Sequence, residues 1–213
     1  MRNLFTINGS SKEEFNKLVK AHVFDYWEKF LRTEASSLPS LEYFNPNFMS
    51  LKHPHPIWTS AKSNPYEVNK ARIQAIMLSG RYRTESLTKH WTHRDGSCLA
   101  PGCRSTCIKQ VETLEHLLLV CPSLTNIRER VFNIWTRAKV NFPQLAQTIS
   151  KAMSGKITFR CQFLLDCSVL PDVIVLVQLY GQPVLDQLFY LTRTYCYCLH
   201  RERMKILGKW KTS

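Results

Sequence analysis

The window from Cys98 to Cys121 constrains this chain more than any other stretch. Four metal-ligating side chains fall within 24 residues. Cys98 and Cys103 form a C-x4-C pair, and His116 and Cys121 form an H-x4-C pair twelve residues further on. Three thiolates and one imidazole predict a closed tetrahedral Cys3His zinc site, the kind that holds structure rather than catalyses. Pro101-Gly102 supplies a tight turn between the first two cysteines, which lets both sulfurs face one point. The segment from Thr113 reads as a short helix carrying His116. His116 and Cys121 are five apart, so on a continuous α-helix they would point in different directions. Pro122 pushes Cys121 out of the α region, which frees it to fold back onto the metal. The plainer alternative is a set of buried thiols and a packed histidine. Four ligand types with turn and helix-end signals in register favour the metal. Cys107 stands as an alternative to Cys98, and His90 and His93 are more distant reserves.

The remaining cysteines, Cys161, Cys167, Cys196 and Cys198, lie apart from this window. The start of the sequence lacks the apolar run of a secretory signal, so free thiols and metal are expected rather than disulfides. Cys196 and Cys198 are two apart on an expected helix and make poor joint ligands. The longest apolar run towards the end, Val173–Val177, is far short of a membrane span. These readings place the chain inside the cell, in nucleus or cytoplasm, with no membrane partner.

The order along the chain is read as all-α, in five stretches. Residues 1–35 hold an N-terminal helix: Ser11-Lys12-Glu13-Glu14 is a capping box. Phe15, Leu18, Val19, Val23, Tyr26, Phe30 and Leu31 then recur at helical spacing. That stripe, with Trp27, is expected in the core. Residues 36–65 are broken by Pro39, Pro46, Pro54, Pro56 and Pro65 and predict an irregular segment tied down by Tyr43, Phe44, Phe48 and Trp58. His53 and His55, set between prolines, are expected at the surface. Residues 66–97 open with Asn64 as N-cap and Pro65 in the first turn, and Gly80 stops that helix. Asp95-Gly96 is read as a turn. Residues 98–122 are the zinc module. Residues 123–213 are helical, with Leu124, Ile127, Val131, Ile134, Trp135 and Ala138 inward and Arg128, Arg130, Arg137 and Lys139 outward. Residues 171–177 are β-branched enough for a strand, but their helical surroundings favour helix. Pro183 opens the last long helix, with Leu185, Leu188, Phe189, Leu191 and Tyr195 on its apolar side.

The net charge of +13 suits a polyanion, most simply nucleic acid. Two basic groups stand out. Arg72, Arg81, Arg83, Lys89 and Arg94 lie on the approach to the zinc module. Arg201, Arg203, Lys205, Lys209 and Lys211 form a tail with Trp210 among them, where charge would hold phosphate and the ring would stack on a base of a single strand. The competing reading of that tail is a helix C-terminus whose cations complement the dipole.

The segment Glu112 to Leu124, with its Glu-His-Leu-Leu-Leu-Val-Cys-Pro core, resembles the zinc-binding region downstream of the polymerase domain in non-LTR retrotransposon reverse transcriptases. Leu38–Leu41, Ala75–Tyr82 and Leu199–Arg203 are similar to the surroundings of that region, so the resemblance covers most of the chain. It implies a role in holding template RNA or target DNA near a polymerase, here one supplied by a separate subunit. The chain has no adjacent Asp-Asp pair for two-metal phosphoryl transfer. It therefore reads as a non-catalytic nucleic-acid-binding module. The alternative is a protein-interaction or structural remnant in which zinc serves only the fold. Asp166 and Asp172 are close in sequence, with nothing legible to pair them with a base.

Overall fold

A computed structural model describes residues 11–93, 95–105 and 110–208, and for Phe48 the backbone alone. Among these residues every named element is helical, and the only β pairing is an isolated antiparallel bridge between Ser97 and Val111. None of the described helices is long and apolar enough to cross a membrane.

Helix α1 spans Lys12–Ser37 and starts at the expected capping box, with the Ser11 hydroxyl accepting from the Glu14 amide and the Glu14 carboxylate from the Ser11 amide. Single helical turns at Pro39–Leu41 and Pro46–Phe48 and a short α2 at Pro56–Thr59 follow, each opened by the proline that ended the previous run. Helix α3 is Pro65–Leu78, with the Asn64 side chain accepting from the Tyr66 and Glu67 amides. Gly80 ends it at φ 66°; a Cβ there would lie 2.0 Å from the Ser40 carbonyl oxygen, so only glycine fits. Helix α4 (Glu85–Thr92) precedes the cysteine window, and the short α5 (Pro101–Arg104) lies within it. After it come α6 (Thr125–Asn141), α7 (Pro143–Ser154), α8 (Ile157–Leu165), α9 (Pro171–Tyr180) and α10 (Gln182–Ile206). The β-branched run at 171–177 is therefore helical.

Helix α10 is the spine of the body. It packs against α3, α6, α8, α9 and the turns around Cys121. Leu188, Phe189, Leu191, Tyr195, Cys196 and Leu199 are all buried along it. Trp135 of α6 meets Phe163 and Tyr195 with ring centroids 5.8 and 5.6 Å away. Burial on this scale is the main source of stability in such a body, at about 25 cal/mol per Å² of apolar surface. The buried Gln74 side chain donates to the Leu164 carbonyl and the Thr192 hydroxyl, which fixes α3 and α8 on α10.

Several expectations change. No residue of α1 is buried, so its apolar stripe with Trp27 is not core. Helix α1 packs instead on the turns that follow it, through Arg32 to the Met49 carbonyl, Glu28 to the Leu51 amide, and Lys52 to Asp25. Trp58 and Ile134 are exposed rather than inward. Arg128 is buried, not outward. His55 is partly buried and bonded to Asp166, because Asp166 is almost fully buried and requires a partner. Tyr43 does tie the irregular segment down; its hydroxyl donates to Glu115 at 2.6 Å.

Candidate metal centre

Four local devices bring the ligands together. The first is the bridge between Ser97 and Val111: the Cys98 amide donates to the Gln110 carbonyl and the Glu112 amide to the Gly96 carbonyl. Gly96 turns the chain into it at φ 78°, with the Ser97 amide on the Asp95 carboxylate. The second is α5, opened by Pro101, which carries Cys103. The Gly102 amide donates to the Ser123 hydroxyl at 2.8 Å, and a Cβ at Gly102 would sit 2.7 Å from that oxygen. Glycine thus lets the two ligand-bearing turns approach closely without displacing the Ser123 hydroxyl. The third is a π-helical turn at His116–Val120, closed by the Cys121 amide on the His116 carbonyl at 2.7 Å. On an α-helix, residues five apart are rotated by about 140° from each other; an i→i+5 turn brings them nearly to one side. The fourth is Pro122, which holds the residue before it, Cys121, at φ −50°, ψ 117°, outside the helical region. Proline alone was expected to solve the His116–Cys121 alignment; the widened turn does most of it.

Cys98, Cys103, His116 and Cys121 are all buried, and their ligand atoms lie within 4.8 Å of one another. The Cys98 and Cys121 sulfurs are 4.0 Å apart, Cys103 and Cys121 3.6 Å, and Cys103 Sγ lies 3.4 Å from His116 Nε2. A tetrahedral ion with metal–sulfur bonds near 2.3 Å has sulfur–sulfur edges of about 3.8 Å and sulfur–nitrogen edges of about 3.5 Å. The four residues therefore fit a tetrahedral metal ion. They do not fit a disulfide, whose sulfurs are bonded at about 2 Å. All the described cysteines are free thiols.

The protonation chemistry agrees. The Cys98 thiol is pushed up to about 12, first by its hydrogen bond to Cys121 and then by burial. Cys103 is pushed up to about 11, chiefly by burial. Cys121 is pulled below the ordinary thiol value by the hydrogen bond from Cys98. Cys121 is therefore the sulfur that gives up its proton most readily, with Cys98 and Cys103 holding theirs more tightly; an ion bound here would have to displace those protons to be held by all three sulfurs.

Around the ligands stand groups that the sequence reading placed elsewhere. Arg128 donates to the Cys121 carbonyl and to Thr125. A divalent ion with three thiolates and a neutral imidazole carries a net negative charge, and this buried guanidinium lies beside it. Tyr195 of α10 donates to the Leu118 carbonyl at 2.6 Å, occupying an acceptor within the π turn. Glu112 accepts from Arg203 Nε at 2.9 Å, from Arg203 Nη2 at 2.7 Å and from the Glu85 amide at 2.7 Å. One of its oxygens lies 3.9 Å from Cys98 Sγ. Arg203 is therefore not a phosphate contact: both partners of this pair are buried, and the guanidinium locks the metal module to α10. A long-range bidentate pair has no local sequence signature, although Glu112 and Arg203 were each noticed for other reasons.

The other expected ligands and contacts sort as follows. His90 and His93 are exposed and outside the cluster; Cys107 lies outside the described residues, as do Arg94, Lys209, Trp210 and Lys211. Arg72, Arg81, Arg83, Lys89 and Lys205 are exposed, and Arg201 is half-buried. Arg203 also donates to the Arg83 carbonyl at 3.1 Å, and Tyr82 and His200 meet through the Tyr82 hydroxyl and His200 Nδ1 at 3.0 Å. Those two contacts bring the 81–83 stretch against the end of α10, joining basic stretches well over 100 residues apart. Lys205 also sits 3.6 Å from Glu202, a loose exposed pair that leaves the lysine accessible.

His55, Asp166 and Ser168 superficially suggest a relay. His55 Nδ1 accepts from the Ile57 amide, so Nε2 carries the proton and donates to Asp166 at 3.2 Å. The Ser168 hydroxyl donates to Asp166, not to the histidine. The trio clasps the irregular segment onto α8.

Comparisons of the chain with protein families, with curated proteins and with solved structures return no match.

Proposed function

We propose that this chain is a zinc-binding, non-catalytic module that holds single-stranded nucleic acid, intracellular in nucleus or cytoplasm, and descended from the C-terminal region of a retroelement reverse transcriptase. The ancestry rests on the resemblance of residues 112–124 and their surroundings. Zinc is the ion because a closed, buried Cys3His set is a structural zinc donor set. The observation that carries the binding role is the meeting of Arg81 and Arg83 with the α10 end that bears Arg201 and Lys205. Of these, Arg81, Arg83 and Lys205 are exposed, and cations gathered from two distant stretches suit a phosphate backbone. The zinc module acts in this reading through Glu112 and Arg203, which hold the two stretches together. A separate polymerase subunit is the partner such a module would serve.

The test is fluorescence anisotropy of a labelled single strand titrated with zinc-loaded protein at several salt concentrations. Binding in the micromolar range or weaker is expected, falling steeply with salt. The triple variant Arg81→Ala/Arg83→Ala/Lys205→Ala should flatten the log–log salt slope by about two units, at roughly 0.7 per phosphate contact on single strands. Trp210→Ala should cost about 1 kcal/mol at every salt concentration, because stacking is unscreened. Absence of binding at low salt defeats this reading in favour of a protein-interaction role, which the uncovered stripe of α1 would serve.

A further inference from the structure

Helix α1 leaves one of its sides uncovered. Its polar side is fixed to the following turns by Asp25, Glu28 and Arg32, which turns the opposite side outward. That outward side carries Val19, Val23, Tyr26, Trp27 and Phe30, all exposed, Tyr26 by 64%. Tyr26, Trp27 and Phe30 form an edge-to-face ladder with centroids 5.7 and 5.6 Å apart. From these exposures the stripe presents roughly 500 Å² of contiguous surface, in the upper part of the range for the largest apolar patch of a monomer.

Its charge narrows the occupant. The chain as a whole is +13, but α1 carries five basic and five acidic residues and is neutral. A nucleic acid or an anionic membrane needs a cationic surplus that this helix lacks. A neutral apolar helix is, however, complementary to itself. Along one rim, Glu13, Lys20, Trp27 and Glu34 recur every seven residues. In an antiparallel pair with Val23 of one copy layered on Tyr26 of the other, the two Trp27 side chains approach the two-fold axis. Lys20 of each copy then comes beside Glu34 of the other. Such an isologous contact closes on itself, so it makes a dimer and no larger assembly. The stripe would form the apolar centre of such an interface, and the Lys20 and Glu34 rim its polar border. Pairing through neutral arms also lets two strongly basic bodies associate without pressing their charge together.

We propose that the outward stripe of α1 is a homodimerisation surface, joining two copies of this chain as an antiparallel helix pair. The proposal is independent of the metal and of nucleic acid.

Sedimentation equilibrium of the full, zinc-loaded chain from roughly 1 to 100 µM tests it. A reversible monomer–dimer equilibrium is expected. Val23→Glu/Tyr26→Glu should weaken it by at least about 100-fold, since each dimer would bury four carboxylates. The two positions are exposed in the monomer, so helix content by circular dichroism and bound metal should stay at wild-type levels, separating lost pairing from lost folding. Lys20→Glu should weaken the dimer about five-fold, and Lys20→Glu/Glu34→Lys should restore it. A wild-type chain that stays monomeric at 100 µM, one that forms larger species, or one whose dimer survives Val23→Glu/Tyr26→Glu overturns the proposal. A charge swap that fails to restore pairing overturns the antiparallel arrangement.

Discussion

Helices α1 and α10 are nearly the same length, 26 and 25 residues, and both carry an aromatic-rich apolar stripe. Helix α10 buries twelve side chains, and α1 buries none. The difference lies in what their polar groups do. On α10, Tyr195 reaches the Leu118 carbonyl, Arg193 reaches Glu67 and Ser60, and Arg203 reaches Glu112 and the Arg83 carbonyl. Each of these bonds crosses the body and forces the adjoining apolar residues inward. Among the described residues, the bonds α1 makes beyond itself reach the turns that follow it, and none of them draws its stripe under another element. Periodicity makes a helix and gives it an apolar side; long-range polar partners decide whether that side is covered.

The largest expected effect comes from amide exchange measured at low protein concentration. The central amides of α10 should exchange only through global unfolding, and those of α1 through local opening, with protection differing by at least about a thousand-fold. Equal protection of the two helices in the monomer would break the contrast.

Next comes the metal. Cys121→Ser should release the ion and lower the thermal midpoint by about 15 °C, because ion binding is folding energy for the 98–124 segment. Cys196→Ser should shift it by only a few degrees. That residue is buried under α8, with its sulfur 3.6 Å from the Leu164 carbonyl, and a hydroxyl can take over the contact. Matching shifts in the two variants would mean that the cluster does not organise this body. Metal analysis of the wild-type protein should give one zinc per chain.

The helical class, the capping box of α1, the Asn64 cap, the stop at Gly80 and the four ligands were all legible, because each is written in neighbouring residues. The π turn at His116–Val120 was not: no local residue announces an i→i+5 bond, and its stabilising contact is Tyr195, far away in sequence. Arg128 and Arg203 were read as surface cations because a charge is normally solvated. Their burial depends on the Cys121 carbonyl and on Glu112, which only the folded chain brings near. The fate of the α1 stripe was the largest misreading, for the reason given by α10.

A pair of arginine substitutions sharpens that point. Arg203→Ala leaves Glu112 buried beside the metal cluster without its counter-charge, at a cost of about 3–5 kcal/mol. Glu112→Gln/Arg203→Ala should recover part of the loss, since no uncompensated charge remains. Arg32→Ala removes an i,i+4 partner of Glu28 on α1, where the arginine is 38% exposed and solvent screens the pair, and should cost less than about 1 kcal/mol. Chemical denaturation of the three variants measures all of these. Comparable losses at Arg32 and Arg203 would show that α1 is as firmly tied to the body as α10.

The smallest effect, and the one most diagnostic of where α1 belongs, is an apolar truncation. Leu188→Ala on α10 opens a cavity at a fully buried site and should cost about 2–5 kcal/mol at any protein concentration. Val19→Ala on α1 removes a side chain already 44% exposed, and alanine is the better helix former. In dilute protein its cost should be within about 0.5 kcal/mol. If two α1 helices pair, the same substitution should become costly as concentration rises, because burial then occurs between chains and dimer stability follows mass action. Denaturation midpoints of the wild type and Val19→Ala should thus coincide in dilute protein and separate at high concentration, while those for Leu188→Ala stay apart from wild type throughout. A Val19→Ala penalty that is large and independent of concentration would place the stripe against this chain's own body and dissolve the contrast between the two helices.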